Sequence, residues 1–277
     1  MRKRIIVAVA LLPLAFVILF YLPPYVLAAS LSIICALAAF ELIHAAAGVK
    51  GNLRICIFAL AVAALIPIGE YFNLNALIIT TAMLTLMSLA FIEAIAGFKN
   101  NGEPSLTFTQ ILFILFGSLL IPYLLSTILI LRLTYAGRLL VLLPVISAFV
   151  TDAGAYFVGS FLGKHKAFPL VSPKKTVEGC IGGIVFGTAA IVLCGVVIEC
   201  FATQYFVNYW ALLLYGGLGS VMSVLGDFAF SLIKRELDIK DFGRLLPEHG
   251  GALDRFDSMI FTAPTIYLLV IALPAVW

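Results

Sequence analysis

Long apolar stretches separated by short polar connections run along almost the whole chain. A bilayer core of about 30 Å needs about 20 apolar helical residues for each crossing, because backbone polar groups cannot be left unpaired in hydrocarbon. About nine stretches reach that length, which predicts an all-α, polytopic integral membrane protein. The predicted transmembrane helices span residues 5–22, 25–48, 55–69, 76–98, 107–131, 139–162, 180–201, 207–233 and 259–276.

Composition agrees with lipid as the main solvent. Of the 277 residues, 63% are hydrophobic and 11% are charged, whereas soluble domains carry about 25% charged residues. So little charge cannot cover a surface in water, which excludes extracellular, disordered and nucleic-acid-binding classes. The five cysteines are odd in number and lie in apolar stretches, so we interpret them as small buried side chains rather than disulfides or zinc ligands.

The distribution of Lys and Arg predicts the orientation, since cytoplasmic loops hold the positive excess. With nine spans and a cytoplasmic N-terminus, 15 of the 17 lie on the cytoplasmic side, and only Arg132 and Arg138 lie outside. Two long polar loops, 163–179 and 236–258, then face the cytoplasm. We therefore expect a protein of the cytoplasmic (inner) membrane, with an N-terminal scaffold (1–138) and a more polar C-terminal region (139–277) that carries both loops, so that a catalytic site in this region would face the cytoplasm.

Ionisable side chains inside spans are functional candidates, because burying a charge in hydrocarbon is costly. Asp152 and Asp227 lie well inside spans six and eight. Asp227 belongs to a polar stripe that descends towards the second loop. The stripe consists of Ser220, Ser223, Asp227, Ser231 and Lys234. The other carboxylates in spans lie closer to the ends and can reach the interface, so neither a structural nor a functional role is favoured for Glu41, Glu70, Glu93 and Glu199.

Span six presents a face of mostly small residues around its aspartate. Gly159 and Gly163 lie on this face with Ala148, Asp152 and Tyr156. Such residues allow another helix to approach closely. Helix packing therefore accounts for the glycines but not for Asp152.

The first polar loop contains a candidate anion site. Ser172-Pro173 is typical of an N-cap and a first turn, so we expect span seven, or a short helix leading into it, to begin there. Lys174 and Lys175 beside the free N–H groups of a helix N-terminus would attract phosphate. The alternative is that these lysines anchor the loop to lipid phosphates.

The second loop combines carboxylates, cations and glycines. If residues 254 onward are helical, Asp254 and Asp257 share a face at i, i+3. Magnesium favours a few carboxylates together with substrate phosphate oxygens and water, which Asp227, Asp254 and Asp257 would suit. Gly250 and Gly251 beside His249 would let the backbone approach a phosphate. These residues predict phosphate-transfer chemistry on a lipid.

The same stretch carries a long family motif. It reads Ser231-x-x-Lys234-Arg235-x4-Lys240-Asp241-x-Gly243-x3-Pro247-x-His249-Gly250-Gly251-x-x-Asp254-Arg255-x-Asp257. This motif, with Asp227, the Asp152 face and Ser172-Pro-Lys-Lys-Thr-x-Glu178-Gly179, resembles the CDP-diacylglycerol synthases, also called phosphatidate cytidylyltransferases. Ala252 is smaller than the residue usual in that family. Residues 1 to about 138 match the family only as apolar spans.

The resemblance implies a reaction of phosphatidate with CTP that gives CDP-diacylglycerol and pyrophosphate and requires Mg²⁺, with a second cation left open. A homodimer is compatible with this expectation, and nucleic acid is not expected as a partner. The implied catalytic residues are Asp227, Lys175, Asp254 and Asp257, and the implied metal ligands are Asp227, Asp254 and Asp257. The implied substrate-binding residues are Asp152, Ser172, Lys174, Lys175, Thr176, Glu178, Ser231, Lys234, Arg235, Lys240, His249, Gly250, Gly251 and Arg255.

Two other functions fit part of the pattern. A CTP-dependent lipid kinase of the polyprenol type would also need metal and phosphate sites, but it would release CDP instead of pyrophosphate. An ion-coupled membrane transporter would also have nine spans and buried aspartates, but it would not need the His-Gly-Gly segment and its paired aspartates.

Overall fold

The computed structural model describes residues 13–47, 53–101, 104–202, 204–243 and 250–276. Within these residues the chain is helical without extended strands, and eight helices are long and apolar enough to cross a membrane. This confirms an all-α, polytopic membrane protein. The eight helices are α1 (Pro24–Ala47), α2 (Leu53–Tyr71), α3 (Asn75–Asn101), α4 (Phe108–Leu133), α5 (Leu142–Leu162), α6 (Val177–Phe201), α7 (Tyr209–Glu236) and α8 (Leu253–Ala272).

Eight of the nine predicted spans correspond to these helices. Residues 5–12 of the first predicted span, 5–22, lie outside the described residues. Its described part ends in a short π-helical segment, Val17–Tyr21. The total of nine spans and the cytoplasmic N-terminus therefore stay predictions.

The start of α6 corrects the expected helix start at Ser172-Pro173. The N-cap is Thr176, whose side chain accepts a hydrogen bond from the backbone N–H of Gly179. Ser172 lies instead in a turn, where its N–H donates to the carbonyl of Phe168 over 2.9 Å and its own carbonyl accepts from Lys175. Threonine oxygen satisfies an N-terminal N–H as serine would, so the helix begins four residues later than the motif suggested.

One compact unit contains α1 to α3, most of α4 and the second polar loop. It comprises the described parts of Leu22–Leu129 and Leu237–Arg255. Its core is built from fully buried aliphatic side chains of the four helices, including Ile43, Ala59, Leu86 and Ile111. Thr107 begins α4 with a capping box, in which its side chain and that of Gln110 bond to each other's backbone N–H.

The other compact unit contains α5, α6, α7 and most of α8. It comprises Ala15–Tyr21, Ile130–Glu236 and the described part of Phe256–Trp277. Small residues bring α5 and α6 into close contact, and the face predicted on α5 takes part through Gly159, where an added Cβ would lie 3.5 Å from Cα of Gly179. A Cβ on Gly179 of α6 would lie 2.8 Å from the carbonyl oxygen of Ala155, and one on Gly183 would lie 2.7 Å from that of Thr151.

Large apolar side chains cover the outer surfaces of the helices. Ile33, Ile57, Leu84 and Ile181 are each about 60% exposed, at 63%, 59%, 59% and 58%. In water such a surface would drive aggregation, whereas in a bilayer it contacts acyl chains at no cost. The exposed apolar surface therefore supports the assignment to the membrane.

Candidate active site

Asp227 and Lys175 form an ion pair in the C-terminal half of α7. The ammonium of Lys175 contacts Oδ2 of Asp227, and the two side chains are 26% and 28% exposed. The ammonium also lies 4.3 Å from the centre of the Phe228 ring, a cation–π contact. Phe168 packs edge-on against Phe228 at 5.0 Å. The first polar loop is thus fixed to α7 through Lys175.

Two more carboxylates, those of Asp152 and Asp257, lie near this ion pair. Asp152 on α5 interacts electrostatically with Asp227, Asp257 and Lys175, and Asp257 on α8 interacts with Asp227 and Lys175. Ser258 makes long hydrogen bonds of 3.4 and 3.5 Å to the two oxygens of Asp152. We call Asp152, Asp227 and Asp257 the aspartate cluster. Three helices and the first polar loop therefore bring three carboxylates and one lysine near one another.

A glycine beside Asp227 explains why α7 and α8 can hold their aspartates so close. A Cβ on Gly226 would lie 2.8 Å from the carbonyl oxygen of Asp257 and 3.1 Å from Cα of Ser258. Any side chain at position 226 would force the two helices apart, so the close crossing requires glycine. Asp152 is exposed and the other two aspartates are partly exposed, so the cluster is open to a ligand.

The N-terminal part of the predicted polar stripe, Ser220 and Ser223, packs between helices. Ser220 and Ser223 are fully buried, and their hydroxyls have no hydrogen-bond partner among the described residues. Thr151 of α5 faces Ser220 across Gly187 of α6, where an added Cβ would lie 2.2 Å from either hydroxyl oxygen. The stripe therefore divides into buried hydroxyls that pack between helices and a charged half that ends at Lys234.

Glu178 ties the first polar loop to the start of α6. Its carboxylate accepts hydrogen bonds from the backbone N–H groups of Lys164 at 3.1 Å and His165 at 3.2 Å, and it pairs with the His165 ring. Arg235 of α7 donates from Nε to the carbonyl of Val171 over 3.2 Å. Glu178 and Arg235 were both predicted to bind substrate. In the structure their described partners belong to the loop, which they hold against the helices.

Replacing Glu178 by alanine should loosen this loop without unfolding the protein. The amides of Lys164 and His165 lose their shared acceptor, so we expect their hydrogen–deuterium exchange in detergent to accelerate by about tenfold or more. Glu199 lies on the same helix and accepts a hydrogen bond from the Tyr209 hydroxyl, so Glu199→Ala is a matched control that leaves exchange at 164 and 165 unchanged. Equal exchange rates at residues 164 and 165 in the two variants would show that Glu178 does not hold the loop.

The second polar loop is organised by Asp254 at the start of α8. Its Oδ2 accepts hydrogen bonds of 3.0 Å from the backbone N–H groups of Phe242 and Gly251. Gly250 has a φ of 82°, a backbone conformation that glycine adopts without strain. Glu41 of α1 accepts from the next two N–H groups, those of Ala252 and Leu253. The helix at residue 254 confirms the expected i, i+3 spacing of Asp254 and Asp257.

The remaining predicted residues lie in three settings. Ser172 and Thr176 shape the first loop and the cap of α6, while Lys174 is exposed beside them. Ser231 and Lys234 are partly exposed on α7, and Lys234 interacts electrostatically with Asp257. The other three fall in the second loop and its flank: Lys240 and Arg255 are exposed, and His249 lies outside the described residues.

The aspartate cluster suits a magnesium ion only together with a substrate. Within the described ranges, no three His, Cys, Asp or Glu side chains are close enough to form a metal-binding group. Magnesium keeps several waters and takes phosphate oxygens beside one or two carboxylates, so a complete protein cage is not required. The ammonium of Lys175 on Asp227 shows that this carboxylate can pair with a cation.

Three residues that contact the site or its loop were not predicted from the sequence. Phe228 and Ser258 stand directly beside predicted aspartates, but a ring or hydroxyl in an apolar span carries no signal of its own. Glu41 did stand out as an intramembrane carboxylate, which is expensive unless it is paired. It was expected to be able to reach the interface, whereas it is buried with 5% exposure, and its partners are backbone groups more than 200 residues away.

Together the described helices and the site define a membrane protein in which three aspartates and a lysine lie near one another. A family model described as "Cytidylyltransferase family" matches residues 2–273. The chain therefore belongs to the cytidylyltransferase family.

Several curated relatives carry the name phosphatidate cytidylyltransferase. The Bacillus subtilis protein is 48% identical over 120 residues, 43% of each chain. The Staphylococcus haemolyticus protein is 43% identical over 122 residues, 44% of this chain and 45% of the relative. A Staphylococcus epidermidis protein is 42% identical over 135 residues, 49% of this chain and 50% of the relative. This chain thus matches about half the length of these relatives or less.

Proposed function

We propose that the chain transfers the cytidylyl group of CTP to phosphatidate and forms CDP-diacylglycerol and pyrophosphate. The observation that carries the proposal is that Lys175 contacts Asp227 and lies near the other two aspartates of the cluster. The chain also belongs to the cytidylyltransferase family. Relatives named phosphatidate cytidylyltransferase support the choice of phosphatidate as acceptor. Because the helices lie in a membrane, the lipid substrate can reach the site without leaving the bilayer.

In the proposed reaction an oxygen of the phosphatidate phosphate attacks the α-phosphorus of CTP. A phosphorus–oxygen bond forms there as the bond to the oxygen bridging the α- and β-phosphorus atoms breaks, and pyrophosphate leaves with the electron pair. The attacking phosphate is already anionic at neutral pH, so no protein nucleophile is required. The main task of the protein is to bring two polyanions together in line.

The residues of the site would divide this task between them. Lys175 would move from Asp227 to a substrate phosphate and neutralise its charge. Asp227 and Asp257 would hold Mg²⁺, with Asp152 beside them. Bound Mg²⁺ would supply charge neutralisation for the phosphates and the leaving pyrophosphate. The ligand role predicted for Asp254 and the phosphate-binding role predicted for His249-Gly250-Gly251 stay predictions.

The activity test uses purified full-length protein with CTP labelled at the α-phosphate. We expect Mg²⁺- and phosphatidate-dependent transfer of label to lipid, with release of one pyrophosphate for each lipid formed. Release of CDP and transfer of the γ-phosphate to lipid would indicate a lipid kinase. A protein that binds cations but forms no CTP-dependent product would favour the transporter alternative.

A cytoplasmic active site requires that the first polar loop lies on the cytoplasmic side of the membrane. In a cysteine-free background, Lys166→Cys in the first polar loop should react with an impermeant thiol reagent only after the cytoplasmic face is opened. Tyr135→Cys is the matched control, because Tyr135 is 84% exposed in the connection predicted to lie outside. It should react in intact cells. Labelling of position 166 from outside would reverse the proposed orientation.

A further inference from the structure

The carboxylate of Glu41 lies at the beginning of α8, although Glu41 itself belongs to α1. Oε1 accepts from the N–H of Ala252 at 2.9 Å, and Oε2 accepts from that of Leu253 at 2.8 Å. The first N–H groups of a helix have no acceptor within the helix. An anion at this end is further stabilised by the helix dipole. Glu41 therefore supplies a cap that the local sequence of α8 lacks.

The loop backbone closes around this carboxylate from two sides. A Cβ on Gly243 would lie 2.3 Å from Oε1 of Glu41, and one on Gly251 would lie 2.3 Å from Oε2. Neither position can carry a side chain while Glu41 stays where it is. Both glycines belong to the second polar loop, so this loop closely surrounds a carboxylate from another helix.

Glu41 and Asp254 divide the same run of backbone donors. Asp254 accepts from Gly251, and Glu41 accepts from Ala252 and Leu253, so three consecutive N–H groups end on two carboxylates. Asp254 also accepts from Phe242 on the other side of the loop. Displacing either carboxylate would leave donors unpaired and move the backbone that carries Gly250, Gly251 and Asp254.

We propose that Glu41 is a positioning residue for cytidylyl transfer, because it fixes the Gly250-Gly251 turn and the backbone of Asp254. This inference rests on the proposed function and on the phosphate-binding role that the sequence predicts for Gly250 and Gly251. Burial alone does not distinguish Glu41, since Glu70 in the same unit is equally buried at 5% exposure. Glu70 has an Oε1 without a hydrogen-bond partner among the described residues, whereas both oxygens of Glu41 are bound to the loop.

The test compares Glu41→Gln, Glu41→Asp and the control Glu70→Gln in purified full-length protein. Glutamine keeps the size of the side chain, but its NH₂ group would face one of the two backbone donors. We expect kcat of Glu41→Gln to fall by about 10- to 100-fold, as for a misplacement of about 1 Å. The KM for CTP should change much less, because the ion pair of Lys175 and Asp227 keeps both of its charged groups.

Two further readouts separate positioning from general stability. Glu41→Asp keeps the carboxylate and should recover part of the lost kcat, whereas Glu70→Gln should keep wild-type kcat. Hydrogen–deuterium exchange at residues 250–253 should accelerate in Glu41→Gln and not in Glu70→Gln.

The results distinguish this inference from the proposed function. Wild-type kcat in Glu41→Gln, or a loss that matches only its loss of folded protein, would overturn the positioning role. A wild-type protein that forms no CDP-diacylglycerol would overturn the proposed function instead. Accelerated exchange at residues 250–253 in that case would restrict Glu41 to a role in loop structure.

Discussion

Replacing Asp227 by asparagine should lower the turnover of CDP-diacylglycerol formation by at least about 100-fold, the range found when a preorganised electrostatic contact is removed from an active site. Asparagine has nearly the same size, so the Gly226 crossing and the fold should persist. The variant loses the charge that pairs with Lys175 and that would hold Mg²⁺. Turnover with saturating CTP and phosphatidate, measured across a Mg²⁺ titration, is the direct readout.

Glu199→Gln is the matched control for this experiment. Glu199 is exposed near the far end of α6, about 30 Å along the helix from its N-terminus at 1.5 Å per residue. Glutamine can still accept a hydrogen bond from Tyr209. We expect its turnover to equal that of wild type, and both variants should unfold in detergent near the wild-type temperature. Full turnover in Asp227→Asn would remove Asp227 from the reaction.

Replacing Lys175 by alanine should lower kcat/KM for CTP by about 10- to 100-fold, since hydrogen bonds to charged groups contribute roughly 1.5–3 kcal/mol. The lysine contacts both Asp227 and the Phe228 ring, so its removal also leaves a carboxylate of the aspartate cluster without its cation. Initial rates at varied CTP and varied phosphatidate would show which substrate depends on the ammonium.

Lys166→Ala controls for the general effect of removing positive charge from the first polar loop. Lys166 is exposed, and it pairs with Thr176 only as an isolated backbone bridge. Its kinetics should match wild type. Lys175→Arg keeps the charge but changes its shape, so we expect intermediate activity. Unchanged kinetics in Lys175→Ala would make this lysine an anchor for membrane orientation alone.

Much of the fold could be predicted because a bilayer imposes a length on every span. That rule located eight helices, but it could not locate their ends. α6 begins at Val177 and α8 at Leu253, although spans were predicted from 180 and 259. Helix ends depend on which polar group accepts the first N–H, and Ser172 and Thr176 are chemically alike in that respect.

The candidate site was predictable to the extent that it uses charge. In a chain with 11% charged residues, Asp152, Asp227 and Asp257 could be selected individually, and the structure brings them together. The role of Glu41 could not be predicted, because its partners are backbone N–H groups and every residue except proline carries one. Its pairing with Ala252 and Leu253 requires the three-dimensional path of the chain.

The long sequence separation in that pairing has a consequence for synthesis. Glu41 and its first donor lie 211 residues apart, and a ribosome adds about 5–20 residues per second. The carboxylate therefore leaves the ribosome roughly 10 to 40 s before the backbone groups that it binds. A nascent chain that stops before Ala252 would therefore hold the Glu41 carboxylate without the two N–H groups that pair with it in the finished protein.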